Sequence, residues 1–289
     1  MRRLDGARNS SEGAGLAGAG AADVEAAYAA VERVTRERAK NFSYGIMVLP
    51  PEKRRAIAAI YAFARDLDDA ADGDLPPEEK RARLEALRAS LDAEPRGAMS
   101  IALHDARARY AIPRDALSAL VDGGLQDLEQ TRYATFDDLR GYCEKVAGAV
   151  GVACIAVYGS DDVERAMTLG IALQLINIMR DVGEDLTLGR VYLPQDELER
   201  FRIDEVGSVT PAWASFMAFQ AQRARAHLDE GLRLLDSLDR RSALCVSTFA
   251  GIYSGQLDRI EANGFDVFGP SCSLSTREKL AVVARGLWR

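Results

Sequence analysis

Apolar residues recur at steps of three and four along nearly the whole chain and nowhere alternate for long enough to make a useful strand. That period gives each segment one buried stripe and dictates an all-α fold. Only nine of the 289 residues are proline, and alanine and leucine are abundant, so little interrupts the helices. The spacing predicts helices over residues 23–42, 52–71, 78–91, 99–110, 114–130, 136–158, 164–184, 212–238, 241–263 and 277–287. Pro50-Pro51 separates the first two, with Pro51 and Glu52 suited to a first helical turn. Residues 186–194 read as a loop. No repeat and no linker follows residue 23, so residues 23–289 are expected to form one domain behind a disordered Gly/Ala/Ser-rich tail, 1–22.

A net charge of −7 offers no basic excess to neutralise a nucleic-acid backbone, so nucleic acid is not an expected partner. Cys143, Cys154, Cys245 and Cys272 are far apart, and His104 and His227 have no cysteines around them. Zinc and disulfides are therefore not expected, and a reducing, cytoplasmic location fits. The N-terminus lacks the apolar core of a signal peptide. The longest apolar run, 147–158, is far short of the roughly 20 residues that cross a bilayer, which leaves at most peripheral membrane contact.

Two carboxylate clusters carry the chemistry. In Asp68-Asp69-Ala-Ala71-Asp72, Asp68 and Asp72 are four residues apart on a predicted helix and project from one face, with Asp69 rotated away. Like charges at that spacing oppose the helix, and a divalent cation would offset them. Magnesium takes one or two hard carboxylates and leaves positions for water and phosphate. Asp181-Val-Gly-Glu184-Asp185 repeats the logic: Asn177, Asp181 and Asp185 form a polar row on an otherwise apolar helix. Arg65 precedes the first cluster, and Arg180 and Arg190 bracket the second, where arginine forks suit phosphate oxygens. Such sites fit a magnesium-dependent enzyme that handles diphosphates and ionises an allylic diphosphate in a dry, helix-walled cavity.

At this point the residues resemble a known family. The run Asn41-Phe-Ser-Tyr-Gly-Ile-Met-Val-Leu-Pro50, then Arg54-Arg55 and Ala59-Ile-Tyr61-Ala-Phe-Ala-Arg65-Asp-Leu-Asp68-Asp69, is similar to the opening of squalene/phytoene synthases. So are Tyr142-Cys-Glu-Lys-Val-Ala-Gly-Ala-Val-Gly151, Gln174-Leu-Ile-Asn177-Ile-Met-Arg180-Asp181-Val-Gly-Glu184-Asp185 and Gly189-Arg190-Val-Tyr192-Leu-Pro194. The resemblance implies a single-domain isoprenoid-synthase helical bundle with a central cavity and head-to-head condensation of two prenyl diphosphates. It implies that Asp68, Asp72, Asp181 and Asp185 hold magnesium with Asn177 and that Gln174 supports them. It places Arg65, Arg180, Tyr61, Lys40 and Asn41 on the diphosphates, Phe42 in the pocket wall, Tyr142 near the reacting carbons, where it would guide proton removal, and Tyr253 facing the same cavity. Tyr61, Tyr142 and Tyr253 have alternatives as ordinary core residues, and Lys40 and Arg190 as surface charges.

Within the family, Leu235-Asp-Ser-Leu-Asp-Arg240-Arg241 and Ala250-Gly-Ile-Tyr253 look most like bacterial presqualene diphosphate synthases of hopanoid pathways, whereas Gly183-Glu184-Asp185-Leu and Ile260-Glu-Ala-Asn263 also suit phytoene synthases. The leading expectation is condensation of two farnesyl diphosphates to presqualene diphosphate; the alternative is phytoene from two geranylgeranyl diphosphates. A non-catalytic prenyl-diphosphate-binding subunit and an unrelated helical interaction protein are the rivals from other classes. Three departures stand out: Ala71 replaces a carboxylate, Ile176 replaces a threonine, and residues 269–275 lack the basic residues that help reductive members bind a nicotinamide.

Overall fold

A computed structural model describes residues 20–39, 42–72, 74–269, 272 and 274–287, the side chains of Phe42, Asp72 and 283–287 aside. Among the described residues, helices run in the order α1 (Ala21–Arg38), α2 (Phe42–Ile46), α3 (Pro51–Asp72), α4 (Pro77–Ser90), α5 (Ala98–Tyr110), α6 (Arg114–Asp127), α7 (Phe136–Cys143), α8 (Ala149–Tyr158), α9 (Val163–Thr187), α10 (Gln195–Arg200), α11 (Pro211–Leu232), α12 (Arg240–Ala262) and α13 (Thr276–Leu287). The all-α expectation is met, and most helix ends fall within a few residues of the periodic pattern.

Four boundaries differ for local reasons. The first helix begins at Ala21, because Asp23 in its first turn accepts from the Gly20 amide and closes the N-terminus two residues early. It ends at Arg38, so Phe42 opens a separate short helix instead of closing the first. The expected tail otherwise lies outside the described residues. Residues 136–158 are helical throughout but widen to a π turn over Glu144–Gly148. Residues 233–237 tighten to a 3₁₀ turn at the end of α11.

The expectation of no strands is corrected. Strand β1 (Arg132–Tyr133) pairs in parallel with β2 (Val191–Pro194), inside the expected 186–194 loop. Two residues are too short for a period to register. The pair is anchored by Val191 N–H donating to the Thr131 carbonyl at 2.8 Å and Asp196 N–H to the Ala134 carbonyl at 3.1 Å.

The core has two parts. The first gathers α3, α5, α6 and α8 around Ile57, Ile60, Phe63, Leu117 and Val157. The second gathers α7, α9, α11 and α12 around Ile176, Met179, Trp213, Phe216 and Leu257. Among the described residues one helix, Phe136–Tyr158, is long and apolar enough to cross a membrane. Its buried residues pack against α6 and α9, as expected of a core helix.

Candidate active site

The second carboxylate cluster lies near the C-terminal end of α9. Its apolar stripe (Leu175, Ile176, Ile178, Met179, Val182) is buried and turns the polar row away from the core. Asn177 Nδ2 donates to Gln174 Oε1 at 3.3 Å, and an Asn177 hydrogen bond also reaches the Tyr253 hydroxyl on α12. Asn177 Oδ1 is buried with no partner, an acceptor waiting for a donor or a cation. Arg180 forks its neighbour Asp181, Nε to Oδ1 at 2.7 Å and Nη2 to Oδ2 at 2.5 Å. Burial works against the Arg180 charge, but the hydrogen bonds and charge of Asp181 outweigh it and raise the pKa.

Beyond α9 the chain turns at Gly189, whose φ of +73° suits glycine, and Arg190 N–H returns to the Asp185 carbonyl at 2.9 Å. A small cleft opens there, lined by Ile178, Val182, Asp185, Arg190 and Tyr192 among others. Burial, then the nearby Asp181 carboxylate, pushes the Asp185 carboxyl up to about 7, against the opposing pull of Arg190. A carboxyl held above its ordinary range by burial and a like charge is one that a divalent cation would relieve.

Against this corner stands an aromatic trio. Tyr142 on α7, Tyr133 on β1 and Tyr192 on β2 have ring centroids 5.3–5.8 Å apart. Asp127, the last residue of α6, accepts from Tyr142 Oη at 2.8 Å and from Tyr192 Oη at 3.0 Å. Burial, reinforced by the Asp127 charge, raises the Tyr142 pKa far above the ordinary phenol value. Tyr142 is therefore a neutral phenol whose proton is committed to Asp127.

The first cluster is on α3. Asp68 is exposed and sits electrostatically beside Tyr61 and Arg65. Arg65 pairs with Asp69, which also accepts from Arg38 Nη1 at 3.1 Å. Asp69, expected only to assist, thus holds two arginines, and one is the Arg65 expected on diphosphate. Tyr61 is half-buried, and burial raises its pKa. The expected roles of Lys40, Asn41, Phe42 and the Asp72 side chain lie outside the described residues. Among the described residues, no three acidic, histidine or cysteine side chains converge into a complete metal cage. Asn177, Asp181 and Asp185 fit a cation that also draws ligands from a diphosphate.

Three participants were missed. Asp127 follows Leu117, Leu120 and Gly124 along one stripe of α6, and a carboxylate at such a position is the signal. Gln256 is fully buried on the stripe Phe249, Ile252, Ile260 of α12 and accepts from Arg180 Nη1 at 3.3 Å. Tyr192 stood inside a recognised block without a role.

The family model for squalene/phytoene synthase matches residues 35–278. The chain belongs to that family. It is 42% identical over 277 residues to the phytoene synthase of Mycobacterium tuberculosis, covering 92% of each chain. It is 36% identical to the 15-cis-phytoene synthase of Synechococcus elongatus, covering 90% of this chain and 92% of that one. A dehydrosqualene synthase solved with a ligand superposes with TM-score 0.85 at 24% identity, covering 92% of this chain and 97% of that one. The squalene synthase HpnC of Alicyclobacillus acidocaldarius gives TM-score 0.79 at 27% identity, covering 84% and 96%. The fold is the all-α isoprenoid-synthase bundle, and members of this family are prenyltransferases.

Proposed function

We propose that this protein is a phytoene synthase, joining two geranylgeranyl diphosphates head to head with release of diphosphate. The observation that carries the reading is the 42% identity to a phytoene synthase along 92% of the chain. That identity favours the geranylgeranyl alternative over the farnesyl reaction and the hopanoid subfamily to which the motifs first leaned. The likeness to HpnC at 27% identity keeps condensation of farnesyl diphosphates as the second reading.

Asp68 and Asp72 on one side, and Asp181, Asp185 and Asn177 on the other, would hold magnesium, which supplies the positive charge that stabilises a departing diphosphate. Arg65 and Arg180 bind diphosphate oxygens once they leave their carboxylate partners, with Arg190, Gln174 and Tyr61 adjoining. Tyr142 and Tyr253 flank the reacting carbons. Because Tyr142 stays protonated, it shields and orients the cation and does not act as a general base. The released diphosphate is then the base left to take the departing proton. The four buried, free cysteines suit a reducing cytoplasm. Peripheral membrane contact belongs to the same reading, since a hydrocarbon product partitions out of water.

The test is incubation of the purified chain with magnesium and each prenyl diphosphate, without a nicotinamide. Phytoene from geranylgeranyl diphosphate is the expected product. Faster turnover of farnesyl diphosphate to a cyclopropyl diphosphate would restore the farnesyl reading. Binding of both without turnover would leave a non-catalytic subunit. Asp68→Asn and Asp181→Asn should each lower turnover by orders of magnitude and leave the fold intact.

A further inference from the structure

Arg180 is held from two sides. Nε and Nη2 fork Asp181, while Nη1 donates to Gln256 Oε1 at 3.3 Å. Gln256 is fully buried, and its Nε2 has no partner. A guanidinium only donates, so the amide must present its oxygen to Arg180; rotating it would set donor against donor. The orphaned Nε2 is the consequence of that orientation. A methionine or leucine would fill the same apolar stripe without the orphaned amide N–H, but it would strip Arg180 Nη1 of its acceptor, so the amide serves the arginine and not the packing of α12.

The fork to Asp181 conflicts with the functional reading above. Asp181 is needed by a cation, and Arg180 is needed by diphosphate, at the same time. When the carboxylate turns to the cation, Arg180 loses two of its three hydrogen bonds. A long, flexible side chain released in this way would disperse over its rotamers or follow the carboxylate.

We propose that Gln256 is a positioning residue that anchors Arg180 through Nη1 while Asp181 engages a cation, leaving Nε and Nη2 to meet diphosphate oxygens. The anchor sits on α12 and the arginine on α9, so it holds the guanidinium against a different helix from the one that carries Asp181. This rests on the diphosphate reading of the site. It predicts that removal of the amide weakens diphosphate capture without disturbing the fold.

The test uses the full chain with Gln256→Met, which keeps length and volume, and Gln256→Asn, which keeps an amide too short to reach. Calorimetry with inorganic diphosphate and magnesium is the direct readout. Affinity should fall about tenfold in both variants, the low end for a bond to a charged group at this length. KM for geranylgeranyl diphosphate should rise in step while kcat changes less. The melting temperature of Gln256→Met should stay close to that of the wild type, because the loss of the orphaned Nε2 donor offsets the acceptor taken from Arg180 Nη1. If Gln256→Met fails to fold, Gln256→Asn decides the matter. Affinity within about twofold of wild type in a folded variant would overturn the proposal. If the wild-type protein itself captures no diphosphate, the functional reading fails and this role falls with it; if the wild type binds and the variants match it, the Gln256 role alone falls.

Discussion

Asp185 is the residue whose environment speaks most directly about what the site lacks on its own. Its carboxyl is raised to about 7, first by burial and then by Asp181. A folded-state value above the unfolded value of about 3.9 means that the folded protein binds this proton more tightly. The stability it contributes is therefore fully present below about pH 4 and is lost as pH rises through 7. In chelator, the melting temperature should fall between about pH 5 and pH 8, and Asp185→Asn should flatten that slope. Saturating magnesium should do the same to the wild type. A chelated wild type whose stability is level across that range would remove the raised Asp185 carboxyl from the account of the site. Asp127 offers a second prediction at this scale. It accepts from two buried tyrosines, so Asp127→Ala removes the carboxylate acceptor of both hydroxyls and should cost about 2–5 kcal/mol in thermal or denaturant unfolding. Tyr192→Phe removes only one donor and should cost about 1 kcal/mol. Residues such as Asp181 and Arg180 were legible in the sequence because polar groups break an apolar stripe. Asp127 and Gln256 carry the same signal, but each is a single position, and one polar residue on a stripe reads as a helix end or as an exposed edge.

The helices were legible because each buries a stripe long enough to repeat. What escaped was set by contacts distant in sequence. The β1–β2 pair joins residues nearly 60 positions apart, and its role is to bring Tyr192 beside Tyr133 and Tyr142, which no local pattern announces. The π turn is a similar case. It begins two residues after Tyr142, and there Lys145 Nζ reaches Gln126 Oε1 at 2.8 Å on α6. It also lies where the helix backbone touches α9. A Cβ on Gly170 would stand 2.4 Å from the Ala147 carbonyl oxygen, and one on Gly151 would stand 2.3 Å from the Ala166 carbonyl oxygen. Both neighbours are backbone, so neither can step aside. Gly170→Ala should therefore separate α9 from the helix that carries Tyr142, at a cost of about 3 kcal/mol and a fall of roughly 5–10 °C in melting temperature. Gly148→Ala is the contrast: its nearest contact is the Met167 side chain, 2.0 Å from the added atom, and that chain can move. The Gly148 variant should lose less stability than the Gly170 variant. Equal losses would mean that side-chain crowding, and not backbone contact, sets the approach of the two helices.

For the molecule as a whole, α3 and α9 contribute their carboxylates from two different parts of the core, and the chain carries a net charge of −7. Arginines are parked on Asp69 and Asp181, which tempers the repulsion in the ligand-free protein. On the diphosphate reading proposed above, ligand binding would exchange these internal pairs for pairs with metal and diphosphate, so neither ligand alone would gain the full benefit. Magnesium without diphosphate has to displace Arg180 from Asp181 with nothing to receive it, and diphosphate without magnesium meets the acidic rows unshielded. The stabilisation by magnesium and a non-ionisable geranylgeranyl diphosphate analogue together should therefore exceed the sum of the two separate effects. At about 100 times Kd a ligand adds roughly 2.7 kcal/mol by mass action, which for a domain of this size is a rise of about 5–10 °C in melting temperature. Thermal denaturation with each ligand alone, with both, and with both plus chelator measures the excess directly. Chelator should abolish most of it. Strictly additive shifts would show that metal and diphosphate bind independently, and that the parked arginines are not exchanged on binding.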